Sequence, residues 1–236
     1  MEPCIEDHAL PRVCMLMESY APVVGGMETQ ALNLNRGLRE LGCDTFVITR
    51  RPSRNLPERE IIEGTRVLRC GPVGGSSRLR WGLVFTALPR LIRYRRCYDV
   101  ILVPGLRALG LTAVWAGKLL KKKVVLKAAS SGELSGEFFE GGFARARLSM
   151  KSGPARLFLR LRNRVLLRAD AFTSLSEEQD REFRDCGVPE EKIHRIGQTV
   201  DARRFRPANP AEQWKLRAKL GLPEEYNLDQ LAALGL

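Results

Sequence analysis

Arg12-Val13-Cys14-Met15-Leu16-Met17-Glu18-Ser19-Tyr20-Ala21-Pro22-Val23-Val24-Gly25-Gly26-Met27-Glu28 is the stretch on which the fold turns. Val13 to Met17 is a short apolar run flanked by charge, the pattern of a strand buried on both faces. A long loop follows and closes on two glycines. Beyond them Ala31, Leu34, Leu38 and Leu41 fall on one helical face, and Gly42 is a natural stop. Thr45-Phe46-Val47-Ile48-Thr49 then reads as a second strand. The result is a βαβ opening whose first loop delivers Gly25 and Gly26 to a helix N-terminus. Such a site suits an anion, because bare glycine backbone allows close approach and the free N–H groups and helix dipole favour negative charge.

The loop does not carry the dinucleotide fingerprint. That pattern needs a tight G-x-G-x-x-G turn directly after the strand and an acidic residue at the end of the second strand. Here the gap is longer, and the second strand runs into Arg50 and Arg51. The string Tyr20-Ala21-Pro22-Val23-Val24-Gly25-Gly26-Met27-Glu28 instead resembles the Pro-x-x-Gly-Gly-x-Glu loop of glycosyltransferase family 4. These are retaining enzymes of the GT-B fold that use nucleotide-sugar donors. The resemblance implies that Gly25 and Gly26 approach the donor's phosphates.

Further along, Glu60 to Arg69 reads as two short strands around Gly64, and Arg78 to Arg96 as a helical segment interrupted by Pro89. Asp99 to Val103 is a buried-type strand ending at Pro104-Gly105, and Leu109 to Leu120 an apolar helix. Lys121-Lys122-Lys123 suits that helix's negative end. Val124-Val125-Leu126 is a strand, followed by the polar loop Ser130 to Glu137. Pro154 to Arg168 reads as a basic helix, Ala171 to Leu175 as a strand, Glu177 to Cys186 as a helix and Ile193 to Ile196 as a last strand. Strands and helices alternating at this spacing predict an α/β domain with a Rossmann-like, doubly wound parallel sheet, whose ligands bind beyond the carboxyl ends of the strands.

The family likeness runs from Arg12 to about Pro207. Ala169-Asp170-Ala171-Phe172-Thr173-Ser174-Leu175-Ser176-Glu177 resembles a strand of the family's N-terminal domain and the Ser that follows it. Gly187 to Ile193 and Val200 to Pro207 resemble the segment that closes that domain. The expected organisation is an N-terminal, acceptor-side domain over residues 10–205, then a linker and the truncated start of a second domain over 206–236. Two departures stand out. Lys127-Ala128-Ala129-Ser130 occupies the place where family members carry an active-site His, and Gly197-Gln198-Thr199 replaces the usual Pro-Asn-Gly. The only histidines are His8, in a tail, and His194, expected as a packed core residue. Neither is assigned to catalysis, and no catalytic residue is named.

The Ser130–Glu137 loop has two readings. Ser130, Ser131 and Glu133, with Ser176 nearby in the topology, are candidates to bind acceptor hydroxyls or the donor sugar. Equally, Ser, Gly and Glu make a solvated loop with a helix cap. The stretch from Arg145 to Arg168 holds eight basic residues and no acid, interleaved with leucines. It reads either as an amphipathic face on anionic lipid or as a sheet-packing helix with a basic solvent side. The near-continuous Leu from 157 to 167 favours the second.

Composition bounds the rest. With 236 residues, 44% hydrophobic and 28% charged, the chain is an ordinary globular one, but its net charge of +12 implies acidic company. Nucleic acid is not expected as that partner, for no binding module is present and aromatics are few. Six cysteines lack metal spacing and read as free thiols rather than a disulfide framework. No metal or cofactor is expected. The acidic opening residues do not read as a signal peptide, and no apolar run reaches the ~20 residues that span a bilayer. A cytoplasmic protein is expected, peripheral at the inner membrane surface. The implied reaction is retaining transfer of a sugar from a nucleotide-sugar to a hydroxyl acceptor, polysaccharide or lipid-linked glycan. Two other classes are open: an NADP-type Rossmann oxidoreductase using Arg50 and Arg51, and an inactive remnant that binds anionic surfaces.

Overall fold

The structure is a computed structural model and describes residues 10–74, 82–136, 153–198, 200, 205–206 and 209–221. The chain divides into two compact units, residues 1–199 and 200–236. The first begins with β1 (Val13–Leu16), α1 (Gly26–Glu40), β2 (Thr45–Arg50), and the hairpin β3 (Arg59–Ile62) and β4 (Thr65–Cys70). It continues with α2 (Gly82–Arg93), β5 (Val100–Pro104), α3 (Ala108–Leu120), β6 (Lys123–Lys127), α4 (Gly153–Leu166), β7 (Ala171–Ser174), α5 (Glu177–Asp185) and β8 (Ile193–Arg195). In the second unit the described helix is α6 (Pro210–Leu220), opened by a capping box between Asn209 and Glu212 and closed by Gly221 in the left-handed conformation (φ 66°).

One eight-stranded sheet runs in the order β3-β4-β2-β1-β5-β6-β7-β8. Every pairing is parallel except the β3–β4 hairpin. β1 and β5 are neighbours, with Val13 opposite both Thr45 and Val100. From β1 the chain winds one way to β2 and β4, and from β5 the other way to β8, so the order reverses between β1 and β5. The doubly wound parallel sheet expected from the alternating pattern is the observed one.

Strand alternation splits the core in two. Val13, Met15 and Met17 point to one face and pack with Ala31, Leu34 and Leu38 of α1. Cys14 and Leu16 point to the other, where Leu83, Ala113, Leu166 and Phe183 bring in α2, α3, α4 and α5. Right-handed crossovers require this division, since a reversal of strand order sends the later helices to the opposite face. α3 approaches the sheet closely through Gly117, where an added Cβ would lie 2.3 Å from Val124 Cγ2 and 2.9 Å from the Lys122 carbonyl.

The amino edge of the sheet is fastened by carboxylates. Asp99 accepts from the Arg12 backbone N–H at 3.1 Å and from its Nε and Nη2 at 3.0 Å each. The Arg12 guanidinium holds the Asp99 carboxyl well below the usual carboxylate range. Asp170 pairs with Lys123 Nζ at 2.9 Å and accepts from the Val124 N–H at 3.0 Å. Burial opposes its ionisation, but these two hydrogen bonds outweigh it and lower its pKa. The lysine run is therefore shared out rather than left at the α3 terminus. Lys121 caps α3 in the left-handed region (φ 55°), while Lys122 faces Asp99 and Lys123 faces Asp170.

Three expectations are corrected. His194 is exposed, because β8 is an edge strand and covers one flank only. Cys14, Cys43, Cys70 and Cys186 are free thiols, but Cys97 is disulfide-bonded. In α4 the leucines do not all serve the core. Leu159 and Leu166 are buried, whereas Leu157, Phe158 and Leu161 are 58%, 46% and 57% exposed. The basic residues from Arg145 to Lys151, like His8, lie outside the described residues.

Candidate functional site

The loop between β1 and α1 is held from three sides. Tyr20 is buried and its hydroxyl accepts from Asn35 Nδ2 of α1 at 3.2 Å. The Ser19 hydroxyl donates to Glu28 in the first turn of that helix. Arg69, a buried arginine on β4, donates to the Ala21 carbonyl at 2.7 Å and to the Pro57 carbonyl at 3.3 Å, with Glu60 as its ion-pair partner. So anchored, the loop presents Gly25 as the N-cap of α1 and Gly26 as its first residue. Gly25 is extended (φ −169°) and no side chain caps the helix, which leaves first-turn N–H groups available. An added Cβ at Gly26 meets nothing within 4 Å. Neither glycine is demanded by backbone strain. At Gly25 an added Cβ would run into the Glu28 carboxylate, which folds back over the N-cap; only at Gly26 does glycine leave open space.

That space is a cleft of about 310 Å³ at the carboxyl edge of the sheet, lined by Gly26, Met27, Gln30, Ala31 and Leu34 of α1 and by Pro104, Lys127, Ala128, Ala129, Leu175 and Gln198. It sits beside the reversal point between β1 and β5, where open α/β sheets take their ligands. Lys127 ends β6 half-buried, and burial pushes its ammonium pKa down. Among the described residues no carboxylate lines the cleft.

The loop after β6 is built around carboxylates that stand in for backbone acceptors. Glu133 is 1% exposed and accepts from the N–H groups of Leu106 at 3.0 Å and Ala129 at 3.2 Å, and from Arg107 Nε at 3.3 Å. Glu182 of α5 accepts from the N–H groups of Gly132, Leu134 and Ser135 at 2.7, 2.7 and 2.8 Å. Arg162 of α4 donates to the carbonyls of Leu106 and Glu133 at 2.6 and 2.5 Å, and its burial brings its pKa down to about 10. Together they fix the turns on either side of the β5–β6 carboxyl edge.

The sequence candidates fall into different places. Gly26 lines the cleft and Gly25 adjoins it. Glu133 is enclosed and committed to backbone and Arg107, so it shapes the loop. The Ser130 hydroxyl is buried with no hydrogen-bond partner among the described residues, Ser131 is exposed, and Glu137 lies outside the described residues. Ser176 caps α5, its hydroxyl accepting from the Gln179 N–H at 3.3 Å. Arg50 and Arg51 are engaged: Arg50 donates to the Gly74 carbonyl, and Arg51 to those of Leu56 and Arg54 and to Glu58. Lys127, Glu182 and Arg162 were not singled out from sequence. Lys127 carried a signal, since it begins the segment that departs from the family pattern. The other two reach loop atoms some 28 to 56 residues away, which no local pattern encodes. Among the described residues no group of three or more His, Cys, Asp or Glu side chains could hold a metal ion, and no helix is long and apolar enough to cross a membrane.

Comparison with solved structures agrees on the fold. Sucrose-phosphate synthase from Thermosynechococcus elongatus superimposes with a TM-score of 0.62 at 17% identity, over 90% of this chain and 53% of that one. HepE from Anabaena, in complex with UDP and glucose, gives 0.57 at 17% identity over 90% and 50%. A glycosyltransferase from Rickettsia africae gives 0.53 at 15% over 91% and 51%. The chain thus spans about half the length of the solved structures it matches, and the likeness is to one half of the GT-B architecture. No curated protein matches by sequence. The family model for the glycosyl transferase 4-like domain matches residues 25–198, from the N-cap of α1 to the last residue lining the cleft. The chain belongs to the glycosyltransferase 4-like domain family.

Proposed function

We propose that this chain takes part in retaining glycosyl transfer, with the diphosphate of a nucleotide-sugar held at the N-terminus of α1. The observation that carries this reading is the uncapped helix end at Gly25-Gly26, opening into the cleft at the sheet's carboxyl edge. HepE was solved with UDP and with UDP-glucose, which supports a nucleotide-sugar as donor. In the reaction the bond from the anomeric carbon to the diphosphate oxygen breaks and a bond to the acceptor hydroxyl oxygen forms. The hydroxyl proton passes to the leaving diphosphate and the anomeric configuration is kept. The acceptor in this reading is a polysaccharide or lipid-linked glycan, met by a cytoplasmic protein at an anionic membrane surface. The exposed Leu157, Phe158 and Leu161 beside Arg156, Arg160 and Arg164 of α4 support that surface. The oxidoreductase reading is not favoured, since Arg50 and Arg51 are spent on carbonyls and Glu58.

The test is titration of the 236-residue chain with UDP-, GDP- and ADP-sugars, followed by amide NMR. Shifts confined to the first turn of α1 and the residues after β6 are expected. A nucleotide-sugar that leaves the amides of Gly25 to Glu28 unmoved removes the donor role from this loop.

A further inference from the structure

Lys127 is the one cationic side chain among the described residues that line the cleft. It is half-buried and makes no ion pair or hydrogen bond with any described residue. Beside it on β7 stands Thr173, its partner in the β6–β7 register. Thr173 is 7% exposed, and its buried hydroxyl has no hydrogen-bond partner among the described residues. The positive end of α1 closes the same cleft at Gly26. Met27, Ala31, Leu34, Pro104, Ala128 and Leu175 make the remaining wall mostly apolar. A cation kept partly out of water with no counter-ion is costly, and a buried hydroxyl without a partner adds to that cost. The cost at Lys127, which lines the cleft as Thr173 does not, is relieved by an occupant that brings negative charge and hydrogen-bond acceptors together.

We propose that Lys127 is a specificity-determining residue, pairing with a phosphoryl group of the substrate inside this cleft. The inference rests on reading the cleft as the sugar-transfer site and names the charge of what enters it. The apolar wall takes the carbon face of a sugar, while Lys127 and the α1 N-terminus take the phosphate. The phosphoryl group has two possible sources, the donor's own diphosphate or a phosphate on the acceptor.

The experiment uses the 236-residue chain with its lysines reductively methylated with ¹³C, the Lys127 signal being assigned by its loss in Lys127→Arg. UDP, glucose 1-phosphate and neutral methyl glucoside are titrated separately, and glucose 1-phosphate again with UDP saturating. The Lys127 signal is expected to shift, and its pKa to rise, with a phosphorylated ligand and not with methyl glucoside. In unlabelled protein Lys127→Met is expected to weaken that ligand about ten- to hundredfold, as loss of a charge-assisted hydrogen bond does, and Lys127→Arg by less. A thermal melt confirms that both variants fold. Movement of Lys127 by UDP assigns the donor diphosphate; movement by glucose 1-phosphate with UDP already bound assigns the acceptor. Equal affinity in wild type and Lys127→Met overturns the proposal. So does a Lys127 signal that stays still while the Gly26 amide responds to UDP, an outcome that leaves the donor loop intact. A responding Lys127 with a silent Gly26 upholds the proposal and removes the loop's role instead.

Discussion

Gly26 illustrates how little of a proposed binding residue's purpose is written in its own packing. Its backbone is helical and the space above it is empty, so a side chain there is tolerated by the fold and resisted only by a ligand. Gly26→Val is therefore expected to unfold within about 0.5 kcal/mol of wild type, as surface substitutions do, while nucleotide-sugar affinity falls at least about tenfold as the branched side chain blocks the first-turn N–H groups. Chemical denaturation and calorimetry read the two effects separately. Lys127 shows the converse. Burial lowers its folded-state pKa, so below that pKa, where the side chain is charged in both states, the folded state alone bears the desolvation cost. As pH climbs through the folded pKa towards the unfolded value near 10.4, the unfolded chain binds the extra proton and the deficit shrinks. Lys127→Met should thus melt higher than wild type at pH 7, with an advantage that fades as pH rises towards about 10 and is gone above it. A melting temperature unchanged or lowered at pH 7 would contradict this. His194 was legible as a strand residue but not as an exposed one, because which strand forms the sheet edge depends on the order of all eight.

At the level of elements, β1, α1 and β2 could be read because buried strands and a one-faced helix leave a periodic trace, and β1 is indeed enclosed on both faces. The turns at the carboxyl edge could not, for they are organised by side chains from distant helices. Glu182 on α5 is the plainest case, an acid on a polar helix whose carboxylate serves three N–H groups of the loop after β6. Glu182→Ala should cost about 3 kcal/mol, since several enclosed donors lose their acceptor at once, and hydrogen exchange should quicken at Gly132, Leu134 and Ser135 first. Exchange rates unchanged at those three amides would mean that the loop holds itself. α4 was misjudged for a related reason. Its near-continuous leucines suggest that they mainly serve the core and that the solvent side is basic, but the helix rests on α3 and the loop after β6 along one stripe, Ala155, Leu159, Arg162 and Leu166, leaving Leu157 and Leu161 outward. Gly117 carries the α3 contact with β6, and Gly117→Ala should destabilise by roughly 1–3 kcal/mol, because the Lys122 carbonyl in its way is backbone. A denaturation midpoint equal to wild type would show that α3 can shift freely.

Taken whole, the molecule is strongly cationic, with a net charge of +12, and α4 adds exposed apolar side chains to its arginines. Binding to vesicles with anionic lipid should exceed binding to neutral ones and fall steeply as salt shortens the screening length to ~3 Å at 1 M; equal partitioning would leave the basic face merely solvated. Acid should loosen the sheet from its amino edge. Asp99 and Asp170 have pKa values below their unfolded ones, so the stability they contribute is present above about pH 4 and is lost as pH falls through the lower folded values. Arg12→Met should flatten that acid dependence, as followed by melting between pH 2 and 6. The anchoring of the glycine loop has a wider reach than its own neighbourhood. The arginine that grips Ala21 from β4 is balanced by Glu60, on the outermost strand of the sheet. In the proposed reading an acid at the rim of the molecule is thereby a remote tuner of the ligand site, and substitution on the β3 hairpin is expected to adjust substrate affinity without altering any residue that substrate touches.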